Sequence, residues 1–354
     1  MTKPLTLGVV ATSRKPDERR LALHPAHLDR VDPALRERMV LEAGYGERFG
    51  VADAALGVRT APREEVMQAD VVLLPKPLAA DLAELREGAV LWGWPHAVQD
   101  AELAQVAIDR GLTLIAWEAM NHWSGDGSFD VHVFHLNNEL AGYCSVLHAL
   151  SLVGRTGAYG ERLSAAVLSF GATARGAVRG LEAMGVTDIC VFTQRDTARV
   201  ASPFANVVMR QYDSAEDMGE TLSGFDVLAN CILQDPLDPV IFVRRADLGR
   251  FRSGSLFVDV SCDAGMGFEW AEPTSFAAPT RTVGDGCTYY AVDHSPSYLW
   301  ASTTWTISEA VLGYLGTVMA GPDAWDADET IRRAIEIRDG RVVNEAINAF
   351  QDRR

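Results

Sequence analysis

Three basic residues stand just past short apolar runs in the first hundred residues: Arg20 in RKPDERRLALHP after LTLGVV (5–10), Lys76 in Pro75-Lys76-Pro77 after DVVLL (70–74), and His96 in Pro95-His96-Ala97-Val98-Gln99 after VLWGW (90–94). If each run is a strand of an open parallel sheet, the three side chains gather beyond the carboxyl ends of the strands, where such sheets bind ligands. A guanidinium there grips a carboxylate with two parallel hydrogen bonds. A histidine titrates near neutral pH, and a lysine crowded by cations and partly desolvated is lowered towards that range, so His96 and Lys76 suit proton transfer. Plainer readings exist: Arg20 as one solvated charge among Arg14, Lys15 and Arg19, and His96 as a helix cap or a satisfied core residue. Two flanking prolines fix the backbone of Lys76, and placement at three successive strand ends favours a shared site.

A second stretch with chemical content is AAVLSFGATARGAVRGLEAMG, residues 165–185. It reads as a strand running into a helix through Ser169-Phe170-Gly171-Ala172-Thr173-Ala174-Arg175. A dinucleotide-binding turn needs a tight bend after the strand, a residue without a side chain where the pyrophosphate approaches, and a small residue where helix meets strand. Gly171 suits the second requirement and Ala174 the third. Ser169 replaces the usual first glycine and is expected to keep a negative φ. The next strand, DICVFT (188–193), ends in Thr193-Gln194-Arg195. NAD sites place Asp or Glu at this tip to hold the ribose hydroxyls. Here no carboxylate stands at the tip and a guanidinium does, which favours a 2′-phosphate. The expected coenzyme is NADPH (NADP+), held by Ser169, Gly171, Ala172, Thr173, Ala174, Arg175, Thr193 and Arg195. Against this, parallel sheets without a nucleotide also carry Gly-rich turns, and the plainer reading of Arg195 is a surface charge.

Further along, VDVSCDAGMGFEWAEPT (258–274) is a strand that breaks into a loop, and YYAVDHSPSYLW (289–300) has little periodicity. Asp263 is the candidate for reaching an active site from the first, while Asp259 reads as a structural residue at the strand end. Asp293 and His294 are candidate substrate-binding residues in the second, their plainer reading being an N-cap and a surface turn.

These residues need elements to hold them. The first 120 residues alternate apolar runs, including MVLE (39–42) and LTLIAW (112–117), with helical patterns such as PREEVMQ (62–68) and DAELAQVAIDRG (100–111). Alternation of this kind builds a parallel sheet covered by helices. A helix is expected over NNELAGYCSVLHALSL (137–152), then a second parallel sheet with strands at 165–170, 188–193, 225–231, 255–261 and 281–284. The end of the chain is expected to be helical over TISEAVLGYLGTVM and DETIRRAIEIRDG and to pack back on the first domain. The expectation is α/β, with two Rossmann-like domains, residues 1–136 plus 300–354 for substrate and 137–299 for NADP, and an active-site cleft between them.

Composition excludes several classes. At 354 residues, with 48% hydrophobic and 23% charged residues, the chain is sized for two globular domains. Its net charge of −16 repels nucleic acid and anionic membrane. No apolar run approaches the length of a membrane span, and the start is too short in apolar residues for a signal peptide, so a cytoplasmic location is expected. Five cysteines, widely spaced and without CxxC, argue against disulfides and structural zinc; no metal is expected.

The motifs ERRLALHP, PKP, WGWPHAVQ, NNELAG, SFGATARG, VDVSCDAGMGFE and YYAVDHSPSYLW, spread over nearly the whole chain, resemble the alanine dehydrogenase, transhydrogenase and saccharopine dehydrogenase superfamily. AVDHSPS is similar to saccharopine dehydrogenases; WGWPHAVQ, AWEAM, NNELAG, SCDAGMGFE and SPSYLW look most like carboxyethylornithine synthases. That resemblance implies Arg20 on the carboxylate of a 2-oxo acid, Lys76 and His96 carrying protons, and Asp263 beside the nicotinamide. It implies NADPH-dependent reductive condensation of a pyruvate-like oxo acid with the amine of an ornithine- or lysine-like amino acid, in a homo-oligomer. Alternatives are an alanine dehydrogenase-like or saccharopine dehydrogenase-like oxidoreductase, or an NADP-binding module without chemistry. The segment 121–135, NHWSGDGSFDVHVFH, is longer than the family pattern suggests and reads as a surface loop; His122, His132 and His135 within it lack zinc-site spacing.

Overall fold

The computed structural model describes residues 4–353, apart from 201, 217, 236 and 237. Two compact units divide the chain, Met1–Phe134 with Trp300–Arg354, and His135–Leu299. Strands are numbered β1 to β19 along the chain.

In the first unit β1 (Leu7–Val9), β2 (Met39–Glu42), β3 (Arg59–Ala61), β4 (Val71–Leu73), β5 (Val90–Gly93) and β6 (Thr113–Ala116) run parallel. Near the end of the chain β18 (Ile335–Arg338) and β19 (Arg341–Val342) extend the sheet antiparallel, giving the order β19-β18-β6-β5-β4-β1-β2-β3. Both faces are covered, so β1, β4 and β5 are apolar throughout, β6 is apolar but for Thr113, and all four are buried. One apolar cluster lies on each face: Leu7, Leu73, Trp92 and Ile115 belong to one, Val72, Leu91 and Leu114 to the other. Each such aliphatic side chain contributes about 1.5–3 kcal/mol on burial.

The second unit repeats the plan. Strands β9 (Ser164–Leu168), β10 (Asp188–Thr193), β11 (Val207–Gln211), β12 (Val227–Asn230), β14 (Leu256–Asp259) and β17 (Cys287–Tyr290) run parallel; β16 (Thr280–Val283) closes the edge, in the order β11-β10-β9-β12-β14-β17-β16. A small ladder pairs β13 (Ile241–Val243) with β15 (Gly267–Phe268). Leaving the antiparallel strands aside, both sheets have the strand order 3-2-1-4-5-6 of a doubly wound dinucleotide fold. The helix His135–Leu152 packs on the helix Ala172–Ala183 at very short range, because glycines face backbone: a Cβ at Gly176 would lie 1.7 Å from the Glu139 carbonyl oxygen.

Four expectations are corrected. The edge strand β16 runs antiparallel to β17, so the second sheet is not wholly parallel. The segment DETIRRAIEIRDG is not one helix: Glu329–Ala334 is helical, and β18 follows, because Ile335 and Ile337 find strand partners on β6. The segment 121–135 is not an irregular loop, since β7 (Asn121–Trp123) and β8 (Phe129–His132) form a hairpin, its Trp123 ring covered by the Arg333 guanidinium at 4.0 Å. The stretch 289–300 opens as strand β17, with a 3-10 helix over Ser295–Leu299. No helix among the described residues is long and apolar enough to cross a membrane.

Candidate active site

In the first unit the basic residues do converge. Lys76 follows β4 and His96 follows β5, and the two loops are tied together: Trp94 N–H donates to the Pro75 carbonyl at 2.9 Å. That approach requires Gly93, where a Cβ would lie 1.9 Å from the Leu74 carbonyl oxygen. The loop after β1 joins them through the Ser13 hydroxyl, which donates to the Lys76 carbonyl at 2.6 Å. Arg20 lies with its guanidinium 5.2 Å from the centre of the Trp94 ring, and Trp94 packs edge-on against Trp117 at 4.6 Å. The backbone of His96 is left-handed, with φ 48°, an uncommon state for a non-glycine residue that concentrates at functional sites.

Two carboxylates the sequence reading passed over complete this cluster. Glu118, following β6, accepts from the His96 N–H through Oε1 at 2.6 Å, and the same oxygen lies 3.8 Å from His96 Nδ1. Burial and the neighbouring Glu336 charge push its carboxyl up, while the Lys76 ammonium pulls the other way. Glu18 holds the side-on edge of the Arg20 guanidinium, at 2.8 Å to Nε and 2.5 Å to Nη2. Arg20 is 6% exposed, so burial of its charge is matched by this partner. A substrate carboxylate using that edge has to replace Glu18. Both glutamates lie inside motifs quoted above, AWEAM and ERRLALHP; the signal was an acid beside bases, but sequence spacing does not say which pairs meet.

The first unit does not repeat the nucleotide site of its own fold type. Glu42 stands at the tip of β2, where a ribose-binding acid would be. Its carboxylate instead accepts from the N–H groups of Ala11 at 2.7 Å and Thr12 at 3.0 Å, and from the Thr12 hydroxyl at 2.7 Å. The first strand-to-helix turn of this unit is therefore filled by the chain itself.

In the second unit all the singled-out residues lie at the carboxyl ends of parallel strands. Ser169 follows β9 with φ 80°, which corrects the expectation of a negative φ: the serine takes the left-handed conformation of the glycine it replaces, its N–H bonded to the Phe192 carbonyl at 2.8 Å. Gly171 is the N-cap of the helix Ala172–Ala183, with no side-chain cap and no acid in the first turn, so the positive end of the helix dipole faces outwards uncancelled. A Cβ at Gly171 would meet nothing within 4 Å, so protein packing does not explain the glycine. Ala174 is fully buried at the helix–strand contact, behind Ala172 and Thr173, and Arg175 lies over the Phe170 ring at 4.6 Å. Thr193 is buried at the tip of β10, its hydroxyl accepting from the Arg195 N–H at 3.1 Å, while the Arg195 side chain is exposed. This turn, an uncapped helix start with no acid in its first turn, fits the pyrophosphate of a dinucleotide.

Asp259, at the end of β14, is a buried hub: Tyr289 Oη donates to it at 2.8 Å, Asn230 Nδ2 at 2.9 Å and the Cys262 N–H at 3.0 Å. Burial nonetheless pushes its carboxyl up to about 7, with the Asp263 charge adding to the rise. The hub holds Cys262 at φ 48° and so sets the loop bearing Asp263, whose carboxyl burial pushes up to about 6. Asp293 and His294 follow β17 on the same edge of the sheet, joined by an Asp293 Oδ1–His294 Nδ1 contact of 2.6 Å. His294 is 3% exposed and its Nε2 has no partner, so it is not part of a surface turn. Among the described residues no group of His, Cys, Asp and Glu is arranged to hold a metal ion.

Comparison with known proteins gives two family matches: alanine dehydrogenase/PNT, N-terminal domain, over residues 8–134, and alanine dehydrogenase/PNT, C-terminal domain, over residues 162–345. The alanine dehydrogenase of Mycobacterium tuberculosis is 24% identical over 319 residues, covering 86% of this chain and 85% of the relative. The N(5)-(carboxyethyl)ornithine synthase of Clostridium botulinum is 24% identical over 309 residues, covering 83% and 89%. Among solved structures an L-alanine dehydrogenase superposes with TM-score 0.79 at 21% identity over 98% of this chain and 99% of its own. The transhydrogenase of Sinorhizobium meliloti superposes with TM-score 0.75 at 21% identity, over 96% and 99%. Those two structures establish the fold.

Proposed function

Because the chain belongs to the alanine dehydrogenase/PNT family, we propose that it is an NADPH-dependent oxidoreductase that condenses a pyruvate-like 2-oxo acid with the amino group of an ornithine- or lysine-like amino acid. The products are an N-(carboxyalkyl)amino acid, water and NADP+. The observation that carries this reading is the meeting of Lys76, His96 and Glu118 at three neighbouring strand ends, with Arg20 beside them.

The chemistry needs protons moved twice: onto the ketone oxygen as the neutral amine attacks, and onto the hydroxyl that leaves as water. Lys76 and His96 are the groups for both, and Glu118 holds the His96 backbone N–H with its carboxylate 3.8 Å from the ring Nδ1. Arg20 orients the oxo-acid carboxylate, in exchange for part of its bond to Glu18. The second unit serves as the NADP domain: Ser169 to Arg175 take the pyrophosphate, Thr193 and Arg195 the 2′-phosphate, and Asp263 the nicotinamide side, with Asp293 and His294 on the substrate. The bound coenzyme supplies the hydride that reduces the C=N carbon.

A second reading, reductive amination with ammonia, has a specific observation behind it: alanine dehydrogenase and carboxyethylornithine synthase relatives match at the same 24% identity. One screen separates the two, NADPH consumption over a matrix of 2-oxo acids against ammonia, ornithine and lysine, with mass spectrometry of the products. A secondary amine formed from ornithine or lysine supports the proposal; turnover with ammonia alone overturns it in favour of the second reading.

A further inference from the structure

We infer that a pocket between the turns after β1 and β2 holds the zwitterionic head of the amino-acid substrate, with Arg48 on its α-carboxylate and Glu47 on its α-ammonium group, so that the side-chain amine reaches towards Lys76. The inference deepens the condensation reading and rests on it for the fate of that amine. The pocket has a volume of about 140 Å³ and lies wholly in the first unit: Ala11 and Thr12 line it from the turn after β1, and Tyr45, Glu47 and Arg48 from the turn after β2. Leu21, the residue next to Arg20, closes a further side.

Hydrogen bonds hold its walls. The buried Tyr45 hydroxyl accepts from the Leu23 N–H at 3.0 Å and donates to the Leu23 carbonyl at 2.7 Å, which pins the segment carrying Arg20 and Leu21 to the turn after β2. The Leu21 N–H donates to Thr304 Oγ1 at 2.9 Å. Gly44, at φ 81°, donates its N–H to Asp53 Oδ1 at 3.0 Å, and a Cβ there would lie 3.1 Å from the Glu47 carboxyl, so that carboxyl lies close over the glycine. Arg48 Nη1 donates to the Arg19 carbonyl at 2.9 Å, which sets its guanidinium beside the chain bearing Arg20 and leaves its other N–H groups for a ligand. Among the described residues neither Glu47 nor Arg48 stands in an ion pair.

The chemistry of the lining selects the class of ligand. Glu42 already takes the N–H groups of Ala11 and Thr12, so those amides are not open to a phosphate. What the pocket offers is a guanidinium and a carboxylate from neighbouring residues, the complement of a carboxylate and an ammonium group on one α-carbon. The spacing agrees. In the sheet β4 lies beside β1 and β1 beside β2. With neighbouring strands about 4.8 Å apart, the end of β4 that carries Lys76 is about one and a half spacings, about 7 Å, from the crevice between β1 and β2. Extended ornithine or lysine reaches about 5–6 Å from its α-carbon to its side-chain nitrogen. Ammonia has no such head, so amination with ammonia makes no use of this pocket.

Two measurements on the full chain test the pocket. In saturation-transfer NMR without turnover, L-norvaline, which has the zwitterionic head but no side-chain amine, is expected to bind the parent protein and to be displaced by L-ornithine but not by putrescine, which has two amines and no head. Arg48→Met and Glu47→Gln should each weaken norvaline binding about ten- to hundredfold, and Arg48→Lys should restore part of it. In steady-state assays with NADPH and pyruvate, the KM for ornithine should rise by the same factor in both variants while the KM for pyruvate stays in place. A merely structural role of Arg48, acting through the Arg19 carbonyl on Arg20, would raise the pyruvate KM as well, and that result overturns the assignment. So does norvaline that fails to bind the parent or binds all variants alike. Norvaline binding that is lost in both variants, in a protein that condenses nothing, keeps the pocket and overturns the condensation reading; condensation with an unchanged ornithine KM in both variants does the reverse.

Discussion

Gly171 and Gly176 lie five residues apart on one turn and helix, yet they are small for opposite reasons, and alanine at each separates ligand from packing. At Gly171, φ −82° and ψ −168° are open to alanine, and the added Cβ meets nothing within 4 Å. Gly171→Ala should therefore leave the fold unharmed, or stabilise it by about 0.4–1 kcal/mol through loss of freedom in the unfolded chain. If a pyrophosphate lies on this turn, the methyl group displaces it from the helix N–H groups. Losing one or two charge-assisted hydrogen bonds at about 1.5–3 kcal/mol each weakens NADPH binding by at least about tenfold, up to about ten-thousandfold. At Gly176 the same methyl would lie 1.7 Å from the Glu139 carbonyl oxygen and 2.5 Å from its carbon, so the two helices must separate. Overpacking of this kind costs about 1–3 kcal/mol or more, offset by about 1 kcal/mol of helix propensity. Thermal melts and fluorescence titration with NADPH read both effects. A Gly171→Ala protein that melts like its parent and binds NADPH as tightly refutes the dinucleotide assignment of this turn.

Three further outcomes are expected. Arg195→Glu places a negative charge at the tip of β10 and should raise KM for NADPH about tenfold or more with little change for NADH; an unchanged ratio of the two removes Arg195 from coenzyme selection. Lys76→Met should lower kcat by about 10²–10⁴-fold, the usual worth of a general acid–base group, and near-normal turnover takes Lys76 out of the proton path. The carboxyl of Asp259, raised to about 7 when folded, keeps its proton in the folded state while the unfolded chain has lost it, so its stabilising contribution is full below about pH 4 and is lost as pH rises through 7. Denaturant melts of Asp259→Asn should therefore show its largest deficit against the parent near pH 4, narrowing by up to about 4 kcal/mol towards pH 8; a deficit constant across that range would show the carboxyl ionised throughout.

The sheets were legible where the signal is local. Runs such as LTLIAW and DICVFT are apolar over the length of a buried strand, and β6 and β10 lie within them. β3 and β11 were missed because edge strands are half polar: Arg59 and Arg210 point to water and break the apolar run. IEIR was lost to the helix before it because an apolar pair two residues apart, following a helical pattern, fits either period until a partner strand decides. The basic members of the site were visible as charges at strand ends. Their acidic partners were not, since residue type and short-range period do not say that Glu18 meets the Arg20 guanidinium or that Glu118 meets the His96 N–H.

What the sequence alone determined is therefore what depends on residue type and short-range period: two doubly wound α/β units, a glycine turn without a capping acid, and Arg20, Lys76 and His96 beyond the ends of successive strands. Tertiary structure alone decided how those charges are balanced and held. It put Glu18 on Arg20, turned Glu42 back into the first unit's own turn, forced Ser169 into the left-handed region, and bulged β18 at Glu336, which is left buried. The physical reason is that the energy of a buried charge is set by what lies within a few ångströms of it, and only the folded chain specifies those neighbours.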